Sequence, residues 1–481
     1  MSLMYKTKKR TIKFSRFDIK LKIIYKFLLF LIFVVLFLKT YSPHFKNPYP
    51  IHVDEWQHLA QIVAAEKGKI NYNPYFDEPH TDLELFFHLF WAAFFKIFKL
   101  NEVLFYSYLP AIFSVITGLT LYYLMLKISN RISAIFSLII MLSWKSTVSF
   151  LGLKYFTPLT MSFPLIYLSI LFFIKLLEKK NLRNLVFFAI LFLLTILIYP
   201  PSGIILGYGF LIELLIMKQN EKDKYYLLLK RIAYLGILIV ILGLILLYKK
   251  NLLERLFIFK IGWSGFETKY SIALLFGIIT TMFAIFGIIK NIEKEKFRIL
   301  IILTLLSLFL IFLFNMFDFT IIVPYQRALH YSVLFLTPLA AIGIKEFLTI
   351  ISKISKKTSN ILNLLLAVLI IFLILTSRYS KVENQETYEW KVLNKEMYEK
   401  LNAIKQKYPE NSIVVMTPIY NTPAIYPVAR QRAQAILPAQ LGAGYGQDER
   451  IIDNIKYYAE NTTNKEKEEI LKKWNVGVVL G

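Results

Sequence analysis

Leu83-Glu84-Leu85-Phe86-Phe87-His88-Leu89-Phe90-Trp91-Ala92-Ala93-Phe94-Phe95-Lys96-Ile97-Phe98 is the stretch on which the fold turns. It is apolar and aromatic, interrupted mainly by Glu84, His88 and Lys96. If it crosses a membrane, it inverts every later loop. If it lies in the outer interface, the later loops keep one consistent charge pattern. Crossing about 30 Å of hydrocarbon takes roughly 20 apolar residues. Runs of that kind, some of them short, flank it at 23–41, 103–126, 132–150, 159–177, 184–199, 203–217, 232–248, 271–289, 299–316, 328–347 and 361–378. Cytoplasmic loops carry an excess of Lys and Arg. With 83–98 in the interface, Lys127/Arg131, Lys179/Lys180/Arg183, Lys218/Lys222/Lys224/Lys230/Arg231, Lys290/Lys294/Lys296/Arg298 and Lys345/Lys353/Lys356/Lys357 share one side. That side also holds the basic N-terminal run from Lys6 to Lys22. The opposite turns at 151–158, 200–202 and 317–327 hold few charges, and only 249–270 breaks the pattern. The expected fold class is an α-helical polytopic membrane protein with about eleven spans. Its N-terminus is expected in the cytoplasm, as an uncleaved anchor in a plasma membrane.

Composition agrees. The 481 residues are 56% hydrophobic, above the 45–50% usual for soluble chains, which excludes a soluble enzyme and a disordered chain. The net charge of +25 would elsewhere suggest nucleic acid. Here it follows topology, and no nucleic-acid partner is expected. There is no cysteine, so disulfides, thiolate metal sites and cysteine nucleophiles are excluded. Residues 1–378 read as the membrane domain. Residues 379–481 change to charged sequence with Pro and Gly, and read as a small extracytoplasmic α/β domain. Its expected elements are helices at 389–408, 447–460 and 465–474 and strands at 412–417 and 476–480.

The outer loop 42–102 separates the first two spans, and long ordered loops on a scaffold are where function is placed. It contains Pro50-Ile51-His52-Val53-Asp54-Glu55-Trp56-Gln57-His58-Leu59-Ala60-Gln61. At about 100° per residue, Asp54, His58 and Gln61 fall within about 60° of one another. Trp56, Leu59, Ala60 and Val63 take the other side, and Gly68 supplies a stop. The pattern predicts an amphipathic helix on the membrane surface with its carboxylates turned from lipid. The plain alternative is an interfacial helix with a solvated acidic face and no chemistry.

The long first loop, the Asp-Glu pair and two interfacial helices resemble the GT-C superfamily of integral-membrane glycosyltransferases. Val53-Asp54-Glu55-Trp56-Gln57 is similar to the PDE-x-x-Q signature of lipid-linked mannosyltransferases, with Val53 in place of the proline. Pro79-His80-Thr81-Asp82-Leu83 with Phe86–Phe98 resembles the HPPL segment and second interfacial helix of the protein-O-mannosyltransferase-like branch. Thr81 and Asp82 stand where that branch has two prolines. The resemblance implies sugar transfer from a polyprenyl-phosphate (dolichyl-phosphate-type) carrier to a lipid, glycan or protein hydroxyl on the outer face.

The chemistry asks for a base and for cations. An acceptor hydroxyl attacks the anomeric carbon, the carrier phosphate leaves, and a carboxylate removes the proton. Asp54 is the expected base. Glu55 would hold the acceptor or tune Asp54 by like-charge repulsion. One base with a phosphate leaving group implies inversion. Arg327 and His330, one helical turn apart after Tyr325, and Lys154 and Tyr155 after the third span are the expected phosphate-binding group. For Arg327 the plain alternative is a snorkelling interfacial cation. Lys250, Arg255 and Lys260 offer a third source. His58, His80 and Asp82 are expected to face the acceptor or donor sugar. Arg430 and Arg432 are expected to be solvent-exposed.

No resident cofactor or metal ligand set is expected. The competing arrangement is a divalent ion on His52, Asp54, His58, Asp77, His80 and Asp82, although no HExxH occurs. The six tryptophans lack a WWDYG-like context, which argues against whole-glycan transfer of the oligosaccharyltransferase type. A lipid-carrier or solute transporter or flippase is the alternative from another class. Transporters tend to show repeats and ionisable residues at mid-span, and here only Lys145 is clearly deep.

Overall fold

The computed structural model describes residues 16–146, 152–179, 181–217, 231, 258–259, 269–321, 323–354, 359–376, 392–437 and 447–481. The seventh expected span (232–248), Lys250, Arg255 and Lys260, and the expected boundary at 378/379 lie outside the described residues.

The chain is an integral membrane protein. Among the described residues five helices are long and apolar enough to cross a membrane, and six shorter ones are strongly apolar. In chain order the helices are α1 (Arg16–Tyr41), α2 (Val53–Glu66), α3 (Leu85–Phe98), α4 (Glu102–Tyr106), α5 (Leu109–Ile128), α6 (Arg131–Leu142), α7 (Pro158–Glu178), α8 (Leu182–Ile198) and α9 (Pro200–Ile216). They continue with α10 (Ile272–Phe276), α11 (Ile278–Asn291), α12 (Glu295–Phe317), α13 (Tyr325–Ile354) and α14 (Ser359–Thr376). Local chemistry sets their starts. Asn130 and Asn181 cap α6 and α8 by accepting from Ser133 N at 3.0 Å and Asn184 N at 2.9 Å. Prolines open α5, α7 and α9, where a missing N–H costs nothing.

Two spans differ from expectation. The third, expected over 132–150, is helical only to Leu142. There the chain turns and Trp144 Nε1 donates to Thr337 Oγ1 on α13 at 2.9 Å. The eighth, expected over 271–289, is split into α10 and α11 by Gly277, whose φ of 92° is open to glycine and strained for other residues. Further on, α11 and α13 touch backbone to backbone. A Cβ on Gly343 would sit 1.9 Å from Phe283 O, and one on Gly287 would sit 2.1 Å from Leu339 O. Small residues permit such close packing in membranes, and here they fix α13 among α6, α11 and α12.

The decisive stretch is α3. Its 14 residues rise about 21 Å at 1.5 Å each, short of the hydrocarbon thickness. Phe87, His88, Trp91, Ala92 and Phe95 are buried, while Phe86, Leu89, Phe90, Ile97 and Phe98 are exposed. The buried face packs on α2.

Helix α2 corrects the sequence-based expectation. It begins at Val53 and ends before Gly68, as the pattern predicts, but it has no solvated acidic face. Of residues 53–64 only Asp54 keeps partial exposure. The cause is a lid from the C-terminal segment. Helices α15 (Lys395–Lys407), α16 (Asp448–Tyr458) and α17 (Asn464–Lys473) accompany strands β5 (Val414–Met416), β6 (Arg432–Ala433) and β7 (Val476–Val479). The short hairpin strands β1 (Tyr72–Asn73) and β2 (Glu78–Pro79), and the pair β3 (Ile258–Phe259) and β4 (Thr320–Ile321), precede them. The three C-terminal strands form a parallel sheet in the order β6-β5-β7. The segment closes over α2 through Tyr75 OH to Pro423 O (2.7 Å), Ala433 N to Tyr75 O (2.9 Å) and Asn47 Nδ2 to Leu393 O (3.1 Å). Arg430, expected in solvent, is buried instead: it pairs with Glu102 at 3.0 Å and donates to Pro427 O at 2.7 Å.

Candidate functional site

The site is assembled from the N-terminal ends of three helices and one turn. Asp54 lies in the first turn of α2, where the helix dipole favours a negative charge. His52 caps that turn, its Nδ1 accepting from Asp54 N at 3.1 Å. The Asp54 carboxylate is 19% exposed.

Glu55, its neighbour, has a different employment. One oxygen accepts from Ile51 N and His52 N, both at 3.1 Å, and the other from Phe156 N at 2.8 Å. Its side chain therefore closes the N-terminus of α2 and ties it to the turn at 152–157. Burial pushes its carboxyl up to about 7, against the pull of the three N–H bonds. The same turn brings Tyr155 onto the His52 ring, with centroids 4.9 Å apart. Lys154 lines a small cavity with Leu36, Lys39, Thr40 and Trp144.

Opposite Asp54's helix face stands a buried polar cluster that sequence reasoning did not assemble. Glu84 stands at the residue before α3, its side chain making no cap bond, and His88 follows one turn later. His88 Nδ1 donates to Asp82 Oδ2 at 2.6 Å, and His88 Nε2 lies 3.0 Å from His58 Nδ1. Glu84 Oε2 is 3.5 Å from the same His58 nitrogen. The donor atoms of His58, Glu84 and His88 all fall within 4.8 Å of one another, a grouping able to hold a metal ion. His80 stands half-buried within electrostatic reach of Asp82 and His88. Burial pushes the Glu84 carboxyl up to about 8, opposed by the Arg327 charge and reinforced by Asp82 and Asp54. Burial also holds the His58 imidazole well below its ordinary value, with His88 and Arg327 adding to it.

Arg327 enters from the first turn of α13. It is buried, its Nε donates to Tyr199 OH at 2.6 Å, and it lies within electrostatic reach of Asp54 and Glu84. Tyr199 is held at the α8–α9 turn by the Pro200-Pro201 start of α9. Ser202 in the next turn bonds Ser162 at 2.7 Å and Tyr331 OH at 2.8 Å. On α13, His330 Nδ1 donates to Gln326 O at 2.6 Å. Tyr325 stacks on Phe314 at 4.2 Å, and its hydroxyl accepts from Tyr270 N at 2.7 Å, so the phenol braces the start of α13.

The structure thus brings together Asp54, His58, Asp82 and Arg327 of the expected set, with His80 at the edge. It gives Glu55 and Tyr325 holding roles, and it adds Glu84, His88 and Tyr199. The sequence signal for Glu84 and His88 was their i, i+4 spacing on an otherwise apolar helix. Tyr199 carried none beyond its place before a Pro-Pro turn. Gln61, on the face of Asp54 and His58, is buried with its amide nitrogen lacking a hydrogen-bond partner. An unmet buried donor costs about 1–3 kcal/mol, which fits a face built to meet a ligand.

The bundle of apolar helices with a long loop after its first helix, and an acidic residue at the start of the first helix of that loop, shares its fold with solved membrane glycosyltransferases, in keeping with the GT-C resemblance. Three solved structures of the Archaeoglobus fulgidus oligosaccharyltransferase share it. The complex with Zn and sulfate matches with a TM-score of 0.59 at 12% identity, over 92% of this chain and 67% of that one. The form tethered by a disulfide to an acceptor peptide containing the NVT sequon gives 0.57 at 12%, over 94% and 68%. The apo form gives 0.58 at 13%, over 93% and 68%. The amino-acid sequence matches no protein-family model and no curated protein.

Proposed function

We propose that this chain is a membrane glycosyltransferase that moves a sugar from a polyprenyl-phosphate carrier to a hydroxyl acceptor on the outer face. The observation that carries the reading is the pairing of Asp54 with Arg327. Asp54 alone among residues 53–64 keeps access to solvent, and a buried guanidinium lies within its electrostatic reach. In the proposed step Asp54 takes the proton from the acceptor hydroxyl, whose oxygen bonds to the anomeric carbon as the bond to the carrier phosphate breaks. The phosphate leaves with the electron pair, and the configuration inverts. Arg327, oriented by Tyr199, meets the phosphate charge through a planar fork. A preorganised cation in a site shielded from water is worth more than the same cation in bulk.

The oligosaccharyltransferase neighbours make a lipid-linked donor and a protein acceptor plausible partners. The absence of a WWDYG-like context around the six tryptophans favours a simpler transfer than theirs. The transporter alternative gains nothing from these neighbours. The proposed topology puts the N-terminus in the cytoplasm and residues 379–481 outside.

The test is incubation of the purified chain in bilayer nanodiscs with a panel of radiolabelled polyprenyl-phosphate sugars and lipid, glycan and peptide acceptors. Release of lipid phosphate coupled to labelled acceptor supports the proposal. Movement of intact carrier across the bilayer without release would replace it with the flippase.

A further inference from the structure

We propose that His58, Glu84 and His88 form a binding site for a divalent transition-metal ion, best fitted by Zn²⁺, with Asp82 orienting His88 from behind. The site goes beyond the glycosyl-transfer reading and does not depend on it.

Three observations carry it. The first is the donor set. Two imidazole nitrogens and one carboxylate oxygen lie within 4.8 Å of one another, contributed by the facing helices α2 and α3. Nitrogen-rich sets of this kind select zinc-like ions, whereas Mg²⁺ and Ca²⁺ prefer all-oxygen cages. Around an ion held at about 2.0–2.1 Å, tetrahedral ligand atoms stand roughly 3.3 Å apart. The His58–His88 separation of 3.0 Å and the His58–Glu84 separation of 3.5 Å bracket that edge.

The second is orientation. His88 gives its Nδ1–H to Asp82 at 2.6 Å, which leaves its Nε2 lone pair aimed at His58. A carboxylate behind a histidine, fixing tautomer and ring angle, is the usual support of a metal-bound imidazole. The third is charge. Asp54, Asp82 and the Arg327 guanidinium all lie within electrostatic reach of Glu84, whose ionised form burial disfavours. A dication compensates the excess of negative charge that burial would otherwise penalise. Three protein ligands leave the fourth position to water or to an anion, the pattern of open rather than structural zinc sites.

The full-length chain, stripped with chelator and titrated with Co²⁺ and Zn²⁺ in the absence of donor and acceptor, tests the proposal. The expected result is one ion per chain, with the intense visible absorption of four-coordinate Co²⁺ and displacement by Zn²⁺. H88Q and E84Q should abolish the band, and D82N should weaken Zn²⁺ binding by about 10–100-fold. Thermal melting of each variant without metal controls for misfolding, and the rise in Tm with Zn²⁺ should vanish in H88Q. Absence of Co²⁺ absorption, or binding unmoved by H88Q and E84Q, would overturn the site and leave a metal-free chain of hydrogen bonds from Asp82 through His88 to His58. Because no turnover is read, neither result bears on whether the chain transfers sugar.

Discussion

Two of the arginine–carboxylate associations among the described residues, those of Arg298 and Arg327, are built differently. On α12, Arg298 grips Glu213 of α9 through Nε at 2.9–3.0 Å and through a second nitrogen at 2.6 Å. Glu213 is buried and its charge is fully met. At the start of α13, Arg327 gives its Nε to Tyr199 and lies within electrostatic reach of Asp54 and Glu84. The first arrangement engages both oxygens of a buried carboxylate. The second places a buried cation and a partly exposed carboxylate in one electrostatic field. A buried carboxylate gripped through two guanidinium nitrogens serves stability, whereas a partly exposed carboxylate beside a buried cation presents charge to a third group.

The contrast predicts opposite outcomes for similar substitutions. Asp54→Asn should lower the turnover number by about 10²–10⁴-fold, the range for losing a general base, while the melting temperature stays near wild type. Glu213→Gln should do the reverse. It strands much of the Arg298 charge and should destabilise the fold by roughly 3 kcal/mol, seen as a lower Tm, with per-molecule turnover of the folded fraction unchanged. A strong loss of turnover without a fall in Tm in Glu213→Gln would break the comparison.

Smaller effects sharpen it. Arg327→Lys keeps the charge but loses the planar fork held by Tyr199. Donor KM should rise by about tenfold, the scale of one charge-assisted hydrogen bond, with a lesser change in turnover number. The smallest effect concerns Glu55. Burial favours its neutral form in the folded chain, so the folded state binds this proton more tightly than the unfolded one. Its contribution to stability is complete below about pH 4.5 and is lost as the pH rises through about 7. Glu55→Gln should flatten the fall of Tm over that window relative to wild type. An unchanged slope would show that the Glu55 carboxyl titrates as it does in the unfolded chain.

How much of this was legible in the sequence follows from the range of the forces involved. Most of the apolar helices among the described residues were readable because apolar runs are local signals. The start of α2, the shared face of Asp54, His58 and Gln61, and the strand at 414–416 came from periodicity. The burial of α2 did not, because the lid that covers it arrives from residues more than three hundred positions away. Nor did the division of labour between Asp54 and Glu55, which depends on the Phe156 amide reaching across from another turn. Glu84 and His88 were in view as interruptions of an apolar helix, but their meaning required His58 opposite. Tyr199 became visible only once α8, α9 and α13 were packed.

The most direct test of the account is the single-turnover rate of lipid-phosphate release by wild type and Asp54→Asn, at matched fold and donor occupancy. The account predicts at least a hundredfold loss with donor affinity retained. A rate within a few-fold of wild type would remove Asp54 from the chemistry and contradict the proposal.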